Sequence, residues 1–432
     1  MQKNVLIALG AVVCVAIVVV AGLTILTNNN KGDKLPEFQK DTGTVYGNAD
    51  GNYCIDATDK TVIQNIIDGH ASLDDYPFAD ANCDGKVDSA DLEIVDKYLN
   101  KQACTLKVLD SESKIINVQY PITNMIVLCG SNLAPLMNVL DVADQIVGAA
   151  YTSNKFDPVR DYPVDQGVKN GTIKKITTDG SAADFEIISD LKDNKDCHFM
   201  MTELSSMYPL DSDDNVTILN GMGIDVVRME ARDPGQDMRS LAVFGILLNK
   251  SENVKQYQDF VTNIYNEIST KIGDKAGTKK VLISSLTSSL SGQGSGYTTM
   301  IEMAKGVNVL DNPESTVKTS SGDTWFLDPK YAVDLLFVGA SCGYSDSGFK
   351  ASSITSYKNL YENHNAWKNG EVYLYSTSIP VVARVAYYAE AMYPDCFDDG
   401  YGKSVHQSFV NTFFKTSHTV DDVRCIQLIN TA

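Results

Sequence analysis

One stretch, Ser251 to Ile272, constrains the fold more than any other. It reads SENVKQYQDFVTNIYNEISTKI, with Val254, Tyr257, Phe260, Val261, Ile264, Ile268 and Ile272 at steps of three and four. That is the period of one helix face. Ser251 stands as N-cap ahead of Glu252, and Gly273 follows as a stop. The spacing predicts a helix of about six turns, roughly 30 Å long. Strand and helix signals of similar kind lie on both sides. A long helix between two comparable α/β halves predicts two lobes on one spine, with a cleft between them.

At 432 residues the chain has room for two or three domains, and an apolar content of 44% supplies their cores. A net charge of −19 argues against nucleic acid and against an anionic lipid surface as partners. No charged residue falls between Asn4 and Asn30, and Val5 to Leu26 is almost wholly apolar, long enough to cross a bilayer. No small-x-small cleavage site follows. Cys14 lies mid-span, which is wrong for lipid attachment. Such a segment is either a signal peptide or an uncleaved signal anchor; the preferred expectation is an uncleaved anchor over 1–30, a polar linker over 31–43, and an extracytoplasmic remainder. Eight further cysteines (Cys54, Cys83, Cys104, Cys129, Cys197, Cys342, Cys396 and Cys425) permit disulfides there, or stand as buried thiols. There is no C-x-x-C, which argues against a thiolate zinc site.

An internal repeat comes next. Asn48, Asp50, Asn52, Cys54, Asp56 and Asp59 align without gaps to Asp80, Asn82, Asp84, Lys86, Asp88 and Asp91, 32 residues on. In each copy hard oxygen donors occupy loop positions 1, 3, 5, 9 and 12, and Cys54 or Lys86 offers a backbone carbonyl at position 7. That pattern suits Ca²⁺. Each loop runs into a short apolar helix, marked by Val62, Ile63, Ile66 and Ile67 and by Leu92, Ile94, Val95 and Leu99. These residues, over 44–103, resemble a type I dockerin: a duplicated calcium loop plus helix closed by Asp. The second copy fits fully. The first carries Asn48 at position 1 and Tyr53 where glycine is usual at position 6, so its site is expected to be the weaker. The resemblance implies two Ca²⁺ sites and a cohesin-like partner. A calcium-stiffened spacer is the plainer reading. Loss of Asp80, Asp84 or Asp91 is expected to unfold only this module.

From Leu106 onward, apolar strand signals alternate with helix signals, as in Asn124–Leu128 then Leu133–Leu140, and again in Lys280–Ser284 then Thr298–Ala304. Alternation predicts mainly parallel sheets, with ligand contacts at strand C-termini. The order of several segments carries a resemblance. They are Ile126-Val127-Leu128, then Val142 to Gly148 (VADQIVG), Gly223-Ile224-Asp225-Val226-Val227, a turn at Phe244 to Leu248, Trp367 to Tyr373 (WKNGEVY), and Ala391 to Phe397 (AMYPDCF). Together they resemble the periplasmic solute-binding proteins of ABC importers for iron-chelates, haem and vitamin B12. Asp196-Cys197-His198 stands where that family usually has Pro-Asp, which bears on ligand type.

The resemblance implies an α/β fold of two Rossmann-like lobes, 104–250 and 274–432, joined by one rigid helix, 251–273. Ahead of them stand the anchor and a small all-α calcium module. It also implies a chelated metal compound (iron-siderophore, haem or corrinoid) as ligand, an ABC permease as partner, and no enzymatic role. Anchor, calcium module and binding domain in one chain resemble an archaeal arrangement.

Of 36 basic residues only six are arginine. Five fall in predicted loops or near element ends: Arg160, Arg228, Arg232, Arg239 and Arg384. Their planar guanidinium groups suit carboxylate, catecholate or phosphate groups on a bulky chelate. Arg424 is assigned to surface pairing. Tyr151, Tyr297, Trp325 and Tyr344 offer apolar contact, and Gly130, Ser131 and Asn132 form a strand-to-helix turn able to present backbone N–H groups. The five histidines show no ligand spacing, which speaks against capture of bare Zn²⁺ or Mn²⁺. Gly339-Ala-Ser341-Cys-Gly343 matches G-x-S-x-G, yet loop residues follow where a nucleophile elbow needs a helix. The rival to a solute receptor is a surface scaffold or adhesion protein acting through its dockerin-like module.

Overall fold

Two acidic loops and two short helices come first in the computed structural model of the chain, which describes residues 44–129, 133–151, 164–177, 183–203, 212–231, 234–284, 289–320, 323–340, 344, 349–414, 418–420 and 426–429. Helices α1 (Ala57–Ile67) and α2 (Ser89–Leu99) start alike: their N-caps, Asp56 and Asp88, share φ −144° and ψ −165°. In each, the side chain of Asp59 or Asp91 accepts the N-cap's own N–H, completing a capping box. The carboxylate that closes each loop therefore also opens its helix. The segment is not purely helical, because β1 (Thr44–Val45) pairs antiparallel with β2 (Cys104–Leu109), and β2 with β3 (Ile115–Tyr120). The reading of the sequence missed this hairpin.

The first lobe is a five-stranded parallel sheet. Its strands are β4 (Met125–Cys129), β5 (Ile146–Tyr151), β6 (Lys174–Lys175), β7 (Phe199–Glu203) and β8 (Asp225–Met229), in the order β6-β5-β4-β7-β8. Helices α3 (Leu133–Leu140), α4 (Val164–Asn170), α5 (Phe185–Lys195) and α6 (Asp213–Gly221) alternate with them. The order turns at β4, so the topological switch point of the sheet lies beside that strand. Alternate side chains feed opposite cores: Met125 and Val127 join the central apolar cluster, while Ile126 and Leu128 join the outer one. Burial on both faces is why the strand reads as a continuous apolar run.

Helix α7 (Pro234–Leu247) leads through an elbow into the spine, α8 (Ser251–Ile272). Phe244 to Leu247, taken from the sequence as a turn, belong to α7. The spine keeps its predicted bounds, with Gly273 at φ 52° as C-cap, but its N-cap is Lys250 without a side-chain cap bond, so Ser251 is the first helical residue instead. Val254, Tyr257, Val261, Ile268 and Ile272 are buried along its predicted face.

The second lobe repeats the plan with β9 (Lys280–Ser284), β10 (Ser289–Ser291), α9 (Gly296–Met303), β11 (Val307–Asn308), β12 (Thr316–Lys318), β13 (Leu335–Ala340), α10 (Ala351–Tyr361), α11 (Asn365–Lys368), β14 (Val372–Ser376), α12 (Val381–Met392), α13 (Tyr401–Phe413) and β15 (Ile426–Leu428). Its main sheet runs β11-β9-β13-β14-β15, parallel except for β15, and β10 pairs antiparallel with β12. The helix expected over 357–367 is broken in two, because His364 caps α11, its Nδ1 accepting from the Ala366 N–H at 3.3 Å. Among the described residues no helix is long and apolar enough to cross a membrane. The expected anchor, 1–30, lies outside them. Among the described residues Cys54, Cys83, Cys104, Cys197 and Cys396 are free thiols, so the disulfide expectation is not met at these five.

Candidate functional site

The two acidic loops differ where their sequences differ. In the second, Asp80 accepts from the Asp84 N–H (3.1 Å) and the Gly85 N–H (2.8 Å). Asn82 accepts from the Asp84 N–H (2.8 Å), and Asp84 from the Lys86 N–H (3.0 Å). Asp88 accepts from Ala90 N–H (2.8 Å), and Asp91 closes the ring from the N–H groups of Asn82 (3.1 Å) and Asp88 (2.8 Å). Gly85 sits at φ 88°, a left-handed conformation that makes the sharp turn at position 6. In the first loop Tyr53 occupies that position and is not among the residues with positive φ.

The consequence appears at position 1. Asn48 is 3% exposed, and its amide donates to the Asn52 carbonyl at 2.7 Å, but its buried Oδ1 has no hydrogen-bond partner. The rest of the loop follows the second copy. Asp50 accepts from the Asn52 N–H (3.1 Å), Asn52 from the Cys54 N–H (2.7 Å), and Asp56 from the Thr58 N–H (2.5 Å). Asp59 accepts from the N–H groups of Asp50 (3.2 Å) and Asp56 (2.7 Å). The Cys54 thiol donates to Asp56 at 3.6 Å, and burial pushes it up to about 12.

Both closing carboxylates, Asp59 and Asp91, are fully buried. Burial pushes Asp59 up to about 7 and raises Asp91 as well. A carboxylate so placed needs a proton or a cation. The donor set of carboxylate, amide and backbone oxygen fits Ca²⁺, and so does the orphaned Asn48 oxygen. Among the described residues no three His, Cys, Asp or Glu side chains already converge on one metal-binding point.

The second candidate region lies at the spine. Arg384, on α12, is 2% exposed, and its guanidinium stands 5.7 Å over the Tyr297 ring from α9. Tyr297 in turn lies 6.1 Å from Tyr375, which stands 5.3 Å from Tyr388. The Tyr375 hydroxyl donates to the Ser284 carbonyl at the end of β9 (3.1 Å). On the first-lobe side, Tyr257 of the spine donates to Asp237 of α7 at 3.2 Å. Burial raises the hydroxyls of Tyr257, Tyr375 and Tyr388 far above their usual range, and the Arg384 charge opposes this at all three. The group therefore joins α7, the spine and the second lobe. Of the residues singled out from the sequence, Tyr297 and Arg384 are brought together here. Asp237, Tyr257, Tyr375 and Tyr388 were missed. Tyr257 had been read as part of the apolar stripe, and nothing local marked the other three.

Other candidates are placed elsewhere. Arg228 is 3% exposed, and its guanidinium is held by Glu112 and by Asp213 (3.2 Å), which ties the hairpin to β8 and α6. This corrects its reading as a ligand-facing arginine, since the charge is neutralised inside the fold. Trp325 packs edge-on against Phe326 (5.6 Å) and Tyr331 (5.2 Å), on the outer core of the second lobe, away from Arg384. Tyr344 is buried with its hydroxyl 2.5 Å from His406 Nε2. Arg239 is half-buried on α7, and burial lowers it. Tyr151 ends β5, opposite Cys129 of β4. Gly130, Ser131, Asn132, Arg160 and Arg232 lie outside the described residues. The helix that follows the expected turn, α3, already has a carboxylate at its start: Glu203, fully buried at the end of β7, accepts from the Leu133 N–H at 3.3 Å.

The family described as the dockerin type I domain matches residues 46–100. No curated protein matches the chain. Among solved structures, the chain is similar to CeuE of Helicobacter pylori in complex with Ni-His, with 12% identity over 73% of this chain and 97% of that one (TM-score 0.53). A TroA-like periplasmic binding protein, FepB of Veillonella parvula, shows 15% identity over 75% and 99% (TM-score 0.53). The molybdate periplasmic binding protein MolA of Haemophilus influenzae, bound to molybdate, shows 14% over 72% and 99% (TM-score 0.53). At these identities the likeness is one of fold: the two lobes and their spine have the architecture of TroA-like periplasmic binding proteins.

Proposed function

We propose that the chain is the substrate-binding protein of an ABC importer, held at the outer side of the membrane by residues 1–30. It captures a chelated metal compound between its lobes and offers it to the permease. Iron-siderophore or haem is the first choice of cargo and a corrinoid the second. No bond is made or broken, and the lobes move by a limited hinge about the spine. The observation that carries this reading is the buried Arg384–tyrosine group where α7, the spine and the second lobe meet, in a fold whose relatives hold metal complexes and oxyanions. The arginine supplies positive charge, and Tyr297, the half-exposed member of the group, an apolar, polarizable face. Gly130, Ser131, Asn132, Tyr151, Arg160, Arg232 and Arg239 are proposed as further contacts. Two Ca²⁺ ions, one per loop with the second bound more securely, are proposed for the module.

A thermal-shift screen of the calcium-loaded chain tests this. The panel holds iron-siderophores, haem, cobalamin and cobinamide, with molybdate and free metals as controls. A ligand of the native state stabilises it by about 2.7 kcal/mol at one hundred times its dissociation constant. A shift with one chelate class is expected. The dockerin match over 46–100 favours a second reading, a scaffold that docks on a cohesin-like module. Cohesin binding with no shift across the whole panel would replace the first reading by that one.

A further inference from the structure

The calcium module is built into the lobe. The strand before it and the strand after it are hydrogen-bonded partners, Thr44 against Leu109 and Val45 against Val108, and the Tyr46 N–H extends the pairing to the Lys107 carbonyl at 2.9 Å. Beyond that seam the module reaches the elbow between α7 and the spine. Tyr98, in the last turn of α2, donates to the Ile246 carbonyl at 2.9 Å. Tyr120, at the end of β3, donates to the Asn249 side chain at 2.6 Å, and the two tyrosine rings stand 4.9 Å apart. Asn249 sits at φ 57°, so that hydroxyl holds the residue on which the chain turns into the spine. One continuous apolar cluster runs from Val45, Ile55, Ile63, Val95 and Tyr98 through Leu247 and Val254 into the second lobe.

The departure of the first loop from its repeat now has a reason. Tyr53, where the second loop has Gly85, is half-buried and packed against that same cluster, which includes Val254 and Tyr257 of the spine, and the charges of Lys255, Glu252 and Asp259 act on its hydroxyl. It lies between Asn52 and Cys54, positions 5 and 7 of the loop, whose position-1 oxygen on Asn48 is buried without a partner.

We infer that a cation in the first loop is coupled to the spine: by fixing residues 48–59 it fixes Tyr53 against the helix and stabilises the elbow at Ile246–Lys250. This rests on the calcium reading of the loops, not on the identity of the solute. It replaces the expectation that losing calcium affects the module alone. Coupling is reciprocal, so any solute that orders the elbow also tightens calcium.

Hydrogen–deuterium exchange on the full chain tests it, with calcium or with a chelator and no solute, beside a direct calcium titration. Chelation is expected to speed exchange of amides in 244–258 by about tenfold or more, as local opening no longer has to release the ion. In Tyr53→Gly, which restores the glycine of the repeat, the same amides are expected to respond by less than about twofold while calcium still binds. Faster exchange confined to 44–103 would overturn the coupling, as would a Tyr53→Gly chain that responds like the parent. A chain that binds no calcium would overturn the calcium reading with it.

Discussion

At the scale of single residues, burial decides which charged groups act on a ligand and which act on the fold. Arg384 and Arg228 are both nearly inaccessible; Arg228 is held by Glu112 and Asp213 at the hairpin, and Arg384 stands over the Tyr297 ring beside the spine. Arg384→Gln is therefore expected to weaken binding of the chelate by about tenfold or more, on the scale of a lost charge-assisted contact. Trp325→Ala, on the outer face, should leave affinity within about twofold. Calorimetric titration of both variants separates them. His406 gives a second residue-level test. Burial, with His418 next to it, lowers this imidazole to about 3, so it is neutral in the fold while the unfolded chain protonates near 6.5. Its contribution is present above pH 6.5 and is lost as pH falls from there towards 3, at about 1.4 kcal/mol per pH unit. Urea melts at pH 6.5 and 5 should show the parent losing about 2 kcal/mol more than His406→Leu. Equal losses would mean that His406 is protonated in the fold.

At the scale of elements, the spine was legible because 22 residues repeat one apolar period, and its end at Ile272 follows the expectation to the residue. The inner strands of the two parallel sheets, β4 and β9 among them, were legible for a related reason, since burial on both faces writes a short apolar run. What the sequence did not reveal rests on partners far along the chain. The hairpin of β2 and β3 is stabilised by Asp225, which accepts from the Gln119 N–H 106 residues away, and by the Arg228 carbonyl, which accepts from the Ser111 N–H. The start of the spine was misplaced by one residue because no side chain caps it. Packing of α7 on the spine depends on Gly245, where an added Cβ would stand 2.2 Å from a Val254 methyl. Gly245→Ala should cost about 1–3 kcal/mol by overpacking, and Val254→Ala in the same chain should recover part of it. Denaturant melts of the single and double variants check this. Additive losses would show that the two helices do not meet there.

At the scale of the whole molecule, lobes, spine and calcium module were each legible, but not their junctions. The repeat at 48–59 and 80–91 identified the module, yet set it apart as an independent unit, because the contacts of Tyr98 and Tyr120 to the elbow leave no local pattern. The Arg384 group was half legible for the same reason. Rare arginines drew attention to one member, while Asp237, Tyr257, Tyr375 and Tyr388 come from four separate elements that only the fold assembles. The most direct test of a receptor for chelated metal is a calorimetric titration of the calcium-loaded chain with the chelate that shifts its melting. One-to-one binding with a dissociation constant of about 1 µM or tighter, lost in Arg384→Gln, is the predicted result. No saturable binding of any iron-chelate, haem or corrinoid, by a chain that still folds and still binds calcium, would contradict it.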